Sequence, residues 1–222
     1  PAYRADVKAG DKILKIDDTN TADLPVDKAV KLIRGEKGTI VKITFIREGL
    51  AEPIEKKIIR DIIDIPTLET ERRGDIFIIK LFSFTAQSPN LFRNALREFL
   101  ESGSHKLILD LRNNPGGYLD AAWDMASWFL PVGEVVVTED FGGKSNENKI
   151  YRSKGYDVLH KYFGNDYKMI ILVNAGSASA SEILAGALHE HGIATLLGVK
   201  TFGKGSVQEL VSITDNTSLK VT

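Results

Sequence analysis

From residue 74 onward, apolar residues come in dense short runs separated by stretches in which they recur every three or four positions. Dense runs predict buried strands, and the three-to-four spacing predicts amphipathic helices. The predicted elements are strands at 75–82, 106–111, 134–138, 169–174, 194–197 and 206–213 and helices at 88–100, 119–129 and 176–192. Strands that alternate with helices favour an α/β or α+β core with a mostly parallel sheet and helices on its faces.

Residues 1–48 have a different character, because short elements there are separated by glycines. The pattern predicts a strand at 12–16, a helix that begins near Pro25 and ends at Gly35, and a strand at 39–46. A unit of this size buries too little apolar surface to be stable alone. Residues 49–73 are predicted to connect it to the core, and the long polar stretch at 140–167 predicts no clear element.

Composition narrows the class of function. The 222 residues carry 29 Lys and Arg and 30 Asp and Glu, a net charge of −1 that argues against a nucleic-acid partner. Hydrophobic residues at 43% and charged residues at 27% are typical of a globular chain. No apolar run approaches the ~18–20 residues of a membrane helix, so no membrane span is expected. With no cysteine, disulfides and thiolate chemistry are excluded.

Three serines separated by small residues follow the predicted strand at 169–174. Ser177, Ser179 and Ser181 lie where that strand ends and a helix begins. A hydroxyl there would lie at the carboxyl edge of the sheet, and the helix N-terminus would offer N–H groups to an oxyanion. Alternatively, one serine caps the helix and the other two are only small spacer residues. The spacing does not choose among the three.

A glycine-rich loop at 198–205 carries Lys204 between two predicted strands. It is similar to a phosphate-binding loop, but Gly205 stands where that loop needs Ser or Thr, and a strand follows instead of a helix. These two departures argue against nucleotide binding. Lys204 is then either a solvated loop lysine or a functional amine.

A second glycine motif follows the predicted strand at 106–111. Gly116 and Gly117 close the sequence Asp110-Leu-Arg-Asn-Asn-Pro-Gly-Gly. Consecutive glycines let backbone amides approach a ligand closely, although a plain tight turn has the same sequence.

Taken in order, these three motifs resemble the carboxyl-terminal processing (tail-specific) serine peptidases. The matching segments are Asp110–Gly117, Gly176–Glu182 and Thr201–Gln208, and Val7–Leu14 and Ala29–Gly35 are similar to the PDZ domain of that family. The resemblance implies a partial PDZ domain at 1–48, connecting strands at 49–73 and a ClpP/crotonase-like peptidase core at 74–222. Because the chain starts at Pro1 and stops at Thr222, we expect the PDZ domain to be truncated at its N-terminus and the core at its C-terminus.

The resemblance also implies the catalytic residues. Ser179 corresponds to the nucleophile, Lys204 to the general base, and Gln208 to the glutamine that assists the lysine; on a strand the last two would share a face. Ala180 and one of the two glycines of the turn, Gly116 or Gly117, would supply the oxyanion amides. Arg34, near the end of the PDZ helix, would contact the core when the PDZ domain gates the site.

The function implied is a Ser-Lys endopeptidase that needs no metal or cofactor. Its partners would be proteins or peptides with apolar, unstructured C-terminal tails, together with either a second copy of the chain or the missing fragment. The family setting implies an extracytoplasmic location in bacteria, in the periplasm or cell envelope. The alternative is a catalytically impaired PDZ-containing binding or scaffold protein on the same fold.

Overall fold

The computed structural model describes residues 1–63, 66–142, 148–214 and 217–221. The chain divides into two compact units, Pro1–Ile65 and Pro66–Thr222. Each unit has its own sheet and its own buried cluster, so each is described separately. No helix among the described residues is long and apolar enough to cross a bilayer.

The first unit is a four-stranded antiparallel sheet with one helix. Its elements are a short 3-10 helix Tyr3–Ala5, β1 Lys12–Ile16, β2 Thr19–Asn20, α1 Val26–Ile33, β3 Ile40–Ile46 and β4 Ile54–Ile59. The strand order is β2-β1-β3-β4. Alternate residues of β3, namely Val41, Ile43 and Phe45, are buried, as a strand with one face on the core requires. The predicted strands at 12–16 and 39–46 and the helix between them are confirmed.

Helix α1 ends where the side chain of Arg60, the residue after β4, contacts it. The guanidinium of Arg60 donates hydrogen bonds to the carbonyls of Leu32 and Ile33 at 2.9 and 2.8 Å. A cation at this end of a helix satisfies carbonyls that have no partner within the helix. A Cβ on Gly35 would lie 2.8 Å from the Arg60 Nε, so glycine leaves room for this cap.

The second unit contains the remaining elements. They are β5 Leu68–Arg73, β6 Ile76–Leu81, α2 Ser88–Glu101, β7 Lys106–Asp110, α3 Leu119–Ala126, β8 Val135–Glu139, β9 Lys149–Arg152, α4 Val158–Phe163, β10 Lys168–Val173, α5 Ala180–Glu190, β11 Thr195–Gly198, β12 Glu209–Thr214 and β13 Thr217–Val221. The central sheet has the order β11-β10-β7-β6-β5, and β8-β9 and β12-β13 form separate antiparallel pairs.

All neighbours in the central sheet are parallel except β5, which runs antiparallel to β6. Alternate strand residues, such as Ile79, Leu109 and Ile171, are fully buried in one cluster with Phe92 of α2 and Leu184 of α5. The predicted fold class, a helix-flanked and mostly parallel sheet, is therefore confirmed. This register brings the carboxyl ends of β6, β7, β10 and β11 to one edge of the sheet.

Some elements lie where the sequence predicts none. Within 140–167, where no clear element is predicted, the structure contains β9 and α4. The mostly charged segment Leu68–Arg73 forms β5, within the connecting strands that the resemblance implies at 49–73. The region 49–73 supplies an edge strand to each of the two larger sheets, since β4 pairs with β3 and β5 with β6. The last predicted strand begins at Glu209 instead of 206.

Candidate active site

The three sequence motifs meet at the carboxyl edge of the central sheet. The glycine turn follows β7, the serine segment follows β10 and the lysine loop follows β11, and these three strands are parallel neighbours. The Ala178 amide donates to the Asn114 carbonyl at 3.0 Å, and the Phe202 amide donates to the Ser177 carbonyl at 3.0 Å. The serine segment is thus hydrogen-bonded to both of the other motifs.

The structure separates the three serines that the spacing leaves equivalent. Ser177 and Ser181 are each 0% exposed, and their hydroxyls donate to the carbonyls of Leu111 at 2.8 Å and Asn114 at 2.9 Å. Ser179 is half-buried and lines a cavity. A nucleophile has to reach a substrate, so Ser179 is the candidate of the three.

The backbone at Ser179 has an unusual conformation. Its φ is +55° and its ψ is −117°, immediately before the first residue of α5. A non-glycine residue in this region is strained, and such strain concentrates at functional sites. The sharp turn from β10 into α5 presents the side chain at the top of the sheet, as the nucleophile elbow does in α/β-hydrolases.

Glu182 holds this turn together with the lysine loop. Its carboxylate accepts the amide N–H of Ser179 at 2.8 Å, the hydroxyl of Thr201 at 2.7 Å, and the amides of Gly203 at 2.7 Å and Lys204 at 3.0 Å. Burial by itself raises the pKa of Glu182, but these four hydrogen bonds together hold that pKa below its ordinary value. The carboxylate therefore stays ionised at neutral pH.

Lys204 and Gln208 are in contact, although not in the way that the sequence predicts. The Lys204 Nζ donates to the Gln208 Oε1 at 3.2 Å. Residues 199–208 form an irregular loop, so the expectation that the two share the face of a strand is wrong. The loop bends so that the Lys204 side chain reaches the amide oxygen four residues later.

The hydrogen bonds of the glycine turn treat its two amides differently. The Phe84 amide donates to the Gly116 carbonyl at 2.9 Å and the Phe84 carbonyl accepts from the Tyr118 amide at 2.8 Å, in a parallel bridge centred on Gly117. In such a bridge the N–H of Gly117 points away from Phe84. The Gly116 amide donates instead to the Asn114 Oδ1 at 2.9 Å, which favours Gly117 over Gly116 as an oxyanion donor.

Close packing places the turn directly against the serine segment. A Cβ on Gly116 would lie 2.8 Å from the Ala180 nitrogen and 2.9 Å from the Ser179 Cβ. Only glycine permits this approach. The two candidate oxyanion amides, those of Ala180 and Gly117, therefore belong to backbone segments in contact.

The side chains and amides of the motifs surround one cavity of about 550 Å³. It is lined by Ser179, Lys204, Gln208 and both glycines of the turn, and by apolar side chains of Leu119, Val137, Ile183 and Val207. Apolar walls with a few polar groups are typical of ligand-binding cavities, and the apolar part suits an uncharged group.

Arg34 is also among the residues singled out in the sequence. It is the C-cap residue of α1 in the first unit. Glu182, Thr201 and Asn114 are contributors that sequence reasoning misses. Ser179 and Glu182 stand three apart at the start of a helix, which is the spacing of a capping box, and that signal could have singled out Glu182.

Comparisons with known proteins decide the family. A model described as Peptidase family S41 matches residues 75–222, and a PDZ domain model matches residues 1–47. The chain belongs to peptidase family S41. The resemblance to carboxyl-terminal processing peptidases and their PDZ domain is thereby confirmed.

Several S41 relatives match along the whole chain. The carboxy-terminal-processing protease of Bartonella bacilliformis is 38% identical, over 100% of this chain and 50% of its own length. The carboxy-terminal processing protease CtpA of Bacillus subtilis is 34% identical, over 100% of this chain and 46% of its own length. The chain thus spans about half the length of these curated relatives.

A solved structure extends the similarity to the fold. The photosystem II D1 C-terminal processing protease superimposes with a TM-score of 0.71 at 27% identity, covering 100% of this chain and 59% of that one.

Proposed function

We propose that this S41 chain carries the catalytic centre of a serine endopeptidase in which Ser179 is the nucleophile and Lys204 the general base. The observation that carries the proposal is that Ser179, half-buried on a strained turn, lines the same cavity as Lys204, while Ser177 and Ser181 are fully buried. Gln208 holds the Lys204 amine through its Oε1. Because the chain covers only about half the length of its relatives, their proteolytic activity is proposed for this chain and not transferred to it.

In the first half of the reaction, the Ser179 Oγ attacks the carbonyl carbon of a substrate peptide bond. The neutral Lys204 amine takes the serine proton, and the carbonyl electrons move to the oxygen, which the amides of Ala180 and Gly117 stabilise. The C–N bond then breaks, and Lys204 gives its proton to the departing amine. An ester between Ser179 and the N-terminal fragment remains.

In the second half, water attacks the ester. Lys204 accepts a proton from the water, the same two amides stabilise the oxyanion, and the bond to the Ser179 Oγ breaks. Ser179 regains a proton from Lys204 and the carboxylic acid product leaves. One amine serves both halves because each half returns it to the neutral form.

The substrates we propose are proteins with apolar, unstructured C-terminal tails. The apolar part of the cavity, formed by Leu119, Val137, Ile183 and Val207, fits an uncharged side chain next to the scissile bond. The relatives' names as C-terminal processing proteases support cleavage near the tail. We further propose that the PDZ domain gates this site with Arg34 as a contact, and that the protein works outside the cytoplasm.

Cleavage of a tail peptide by the intact protein tests the proposal. Ser179→Ala and Lys204→Ala should each lower kcat by at least about 1000-fold, as loss of an activated nucleophile or its base does. Lys204→Arg should be as inactive as Lys204→Ala, because a guanidinium stays protonated. Lys200→Ala, which removes a lysine from the same loop, is the control and should keep full activity.

Two results would contradict the proposal. Cleavage at the wild-type rate by Ser179→Ala would mean that the nucleophile is elsewhere. Tail-peptide binding without any cleavage by the wild-type protein would favour the scaffold alternative.

A further inference from the structure

We propose that Ser177 and Ser181, the two serines that flank the nucleophile, are positioning residues for the oxyanion-stabilising amide of Gly117. This inference rests on the proposed function. It gives the three alternate serines distinct tasks, with Ser179 as the reacting hydroxyl and its two neighbours as the groups that hold the glycine turn in place.

Ser181 holds the middle of the turn. Its buried hydroxyl donates to the Asn114 carbonyl at 2.9 Å, and the Ala178 amide donates to the same carbonyl at 3.0 Å. The Asn114 side chain in turn accepts the Gly116 amide at 2.9 Å and donates to the Leu81 carbonyl at 2.8 Å. Asn114 is itself fully buried. Ser181 therefore fixes the residue on which the orientation of the glycine turn depends.

Ser177 holds the start of the turn. Its hydroxyl donates to the Leu111 carbonyl at 2.8 Å and accepts the Asn174 amide at 3.0 Å. The Asn174 side chain also accepts the amide of Asn113, at 2.8 Å, and donates to the Asn113 Oδ1 at 2.9 Å. Asn113 has a φ of +60°, a strained value that this exchange of hydrogen bonds maintains.

Space alone does not explain the two hydroxyls. Both sites are 0% exposed, and an alanine would fit there without burying a polar group. A buried hydroxyl is favourable only when it is hydrogen-bonded, and both of these bond to the carbonyls of one turn, Leu111 and Asn114. The flanking serines thus link the nucleophile's own segment to the turn that carries its oxyanion donor.

The catalytic consequence follows from how sharply oxyanion stabilisation depends on geometry. Loss of one donor costs about 100-fold to 1000-fold in kcat, and a displacement of about 1 Å can cost about 100-fold. Removing one of two clamps allows the Gly117 amide to move without deleting it. We expect kcat to fall by about 10-fold to 100-fold in Ser181→Ala or Ser177→Ala, with KM within about twofold.

The experiment compares each variant with Ser127→Ala in the intact protein. Ser127 is a matched control, since it is also 0% exposed and its hydroxyl donates to the Trp123 carbonyl at 2.9 Å. Ser127 is not one of the described residues that line the cavity. The kinetic readouts are kcat, KM and the inhibition constant of a peptide boronic acid, which forms a tetrahedral adduct on Ser179. Peptide affinity is measured separately, after Ser179→Ala has been added to each variant so that the bound peptide is not cleaved.

Positioning predicts a specific set of changes. In Ser181→Ala and Ser177→Ala, the boronic acid should bind more weakly by the same factor by which kcat/KM falls, while peptide affinity and the pH profile stay as in the wild type. Ser127→Ala should lose stability without these changes. Ser181→Cys, which keeps the size of the side chain and a weaker donor, should lie between serine and alanine and serves where the alanine variant does not fold.

A purely structural role would give another result. If Ser181→Ala and Ser177→Ala keep wild-type kcat and boronic acid affinity below their melting temperatures, as Ser127→Ala should, the inference is wrong. That failure is distinct from failure of the proposed function, which would appear as activity in Ser179→Ala. The positioning role would also be contradicted if the variants lost as much affinity for the peptide as for the boronic acid.

Discussion

The Glu182 Oε2 accepts the backbone N–H of Lys204 at 3.0 Å, across 22 positions of sequence. The same oxygen accepts the amide of Ser179 at 2.8 Å. One carboxylate thus fixes the backbones of the proposed nucleophile and base relative to each other. The strained turn before α5 and the irregular loop after β11 are in this way held in one arrangement.

Glu182→Gln should weaken both stability and activity. The amide side chain offers one acceptor oxygen where four donors now share two, so at least one of the amides of Ser179, Gly203 and Lys204 loses its partner. We expect a loss of about 1–3 kcal/mol in the free energy of unfolding and a fall in kcat of at least about 10-fold. Urea unfolding and peptide cleavage measure these. Glu190→Gln, an exposed position at the other end of α5, should change the free energy of unfolding by less than about 0.5 kcal/mol.

The lowered pKa of Glu182 predicts how stability depends on pH. A carboxyl whose pKa is lower in the folded state adds stability that is fully present above its unfolded pKa of about 4.3 and is lost as pH falls through the folded pKa. The difference in unfolding free energy between wild type and Glu182→Gln should therefore be constant from pH 7 to about pH 5 and shrink at lower pH. Urea titrations over pH 3–7 measure it. A difference that stays constant, or grows, toward acid pH would show that Glu182 is not stabilised as an anion.

Gly116→Ala should abolish activity because the new Cβ clashes with the serine segment, in addition to the backbone strain that alanine introduces. Gly116 and Gly133 have nearly the same φ, +94° and +89°, so alanine at either position costs about 1–2 kcal/mol in conformation. Only at Gly116 would the new Cβ meet backbone atoms, 2.6 Å from the Ala178 oxygen and 2.8 Å from the Ala180 nitrogen. We expect Gly133→Ala to stay active and Gly116→Ala to lose kcat and more stability. Equal effects in the two variants would contradict the proposed contact between turn and elbow.

Gln208→Glu should move the pH dependence of cleavage. The Gln208 Oε1 accepts the Lys204 Nζ at 3.2 Å, so a carboxylate there favours the charged ammonium, which cannot act as a base. The pH at half-maximal kcat/KM should rise, with activity partly recovered at alkaline pH. Gln208→Ala should lower kcat without that rise. An unchanged pH profile in Gln208→Glu would mean that Gln208 does not act on the base.

Local sequence patterns predict the elements that are buried. Strand β7 and strand β10 consist of dense apolar runs, and α2 has a regular apolar face, so each is predicted close to its observed position. The pattern fails where pairing with a neighbour decides the structure. In β9 only Tyr151 is buried, and α4 has six residues with Leu159 alone in the core. Strand β5 is charged because it is an edge strand, with Glu71 paired to Lys80 at 2.8 Å.

The site is predictable in its parts but not in its assembly. Motif order identifies the serine segment, the glycine turn and the lysine loop, because each is a short sequence with a distinct backbone requirement. The resemblance assigns Ser179 as the nucleophile, but the spacing of the three serines does not, and the structural support for that assignment is the burial of Ser177 and Ser181. The preference for Gly117 over Gly116 depends on which amide the Asn114 side chain accepts. These are long-range facts that spacing along the chain does not contain.

Covalent labelling of the intact protein with a fluorophosphonate, followed by mapping of the modified peptide, tests the central claim most directly. The reagent reports a serine whose proton is taken by a nearby base and whose adduct is stabilised by oxyanion donors. We predict a single adduct on Ser179, absent from Ser177 and Ser181, slowed by at least about 100-fold in Lys204→Ala and unaffected in Lys200→Ala. An adduct on another residue, or labelling of Ser179 at the same rate without Lys204, would contradict a Ser-Lys catalytic centre at this edge of the sheet.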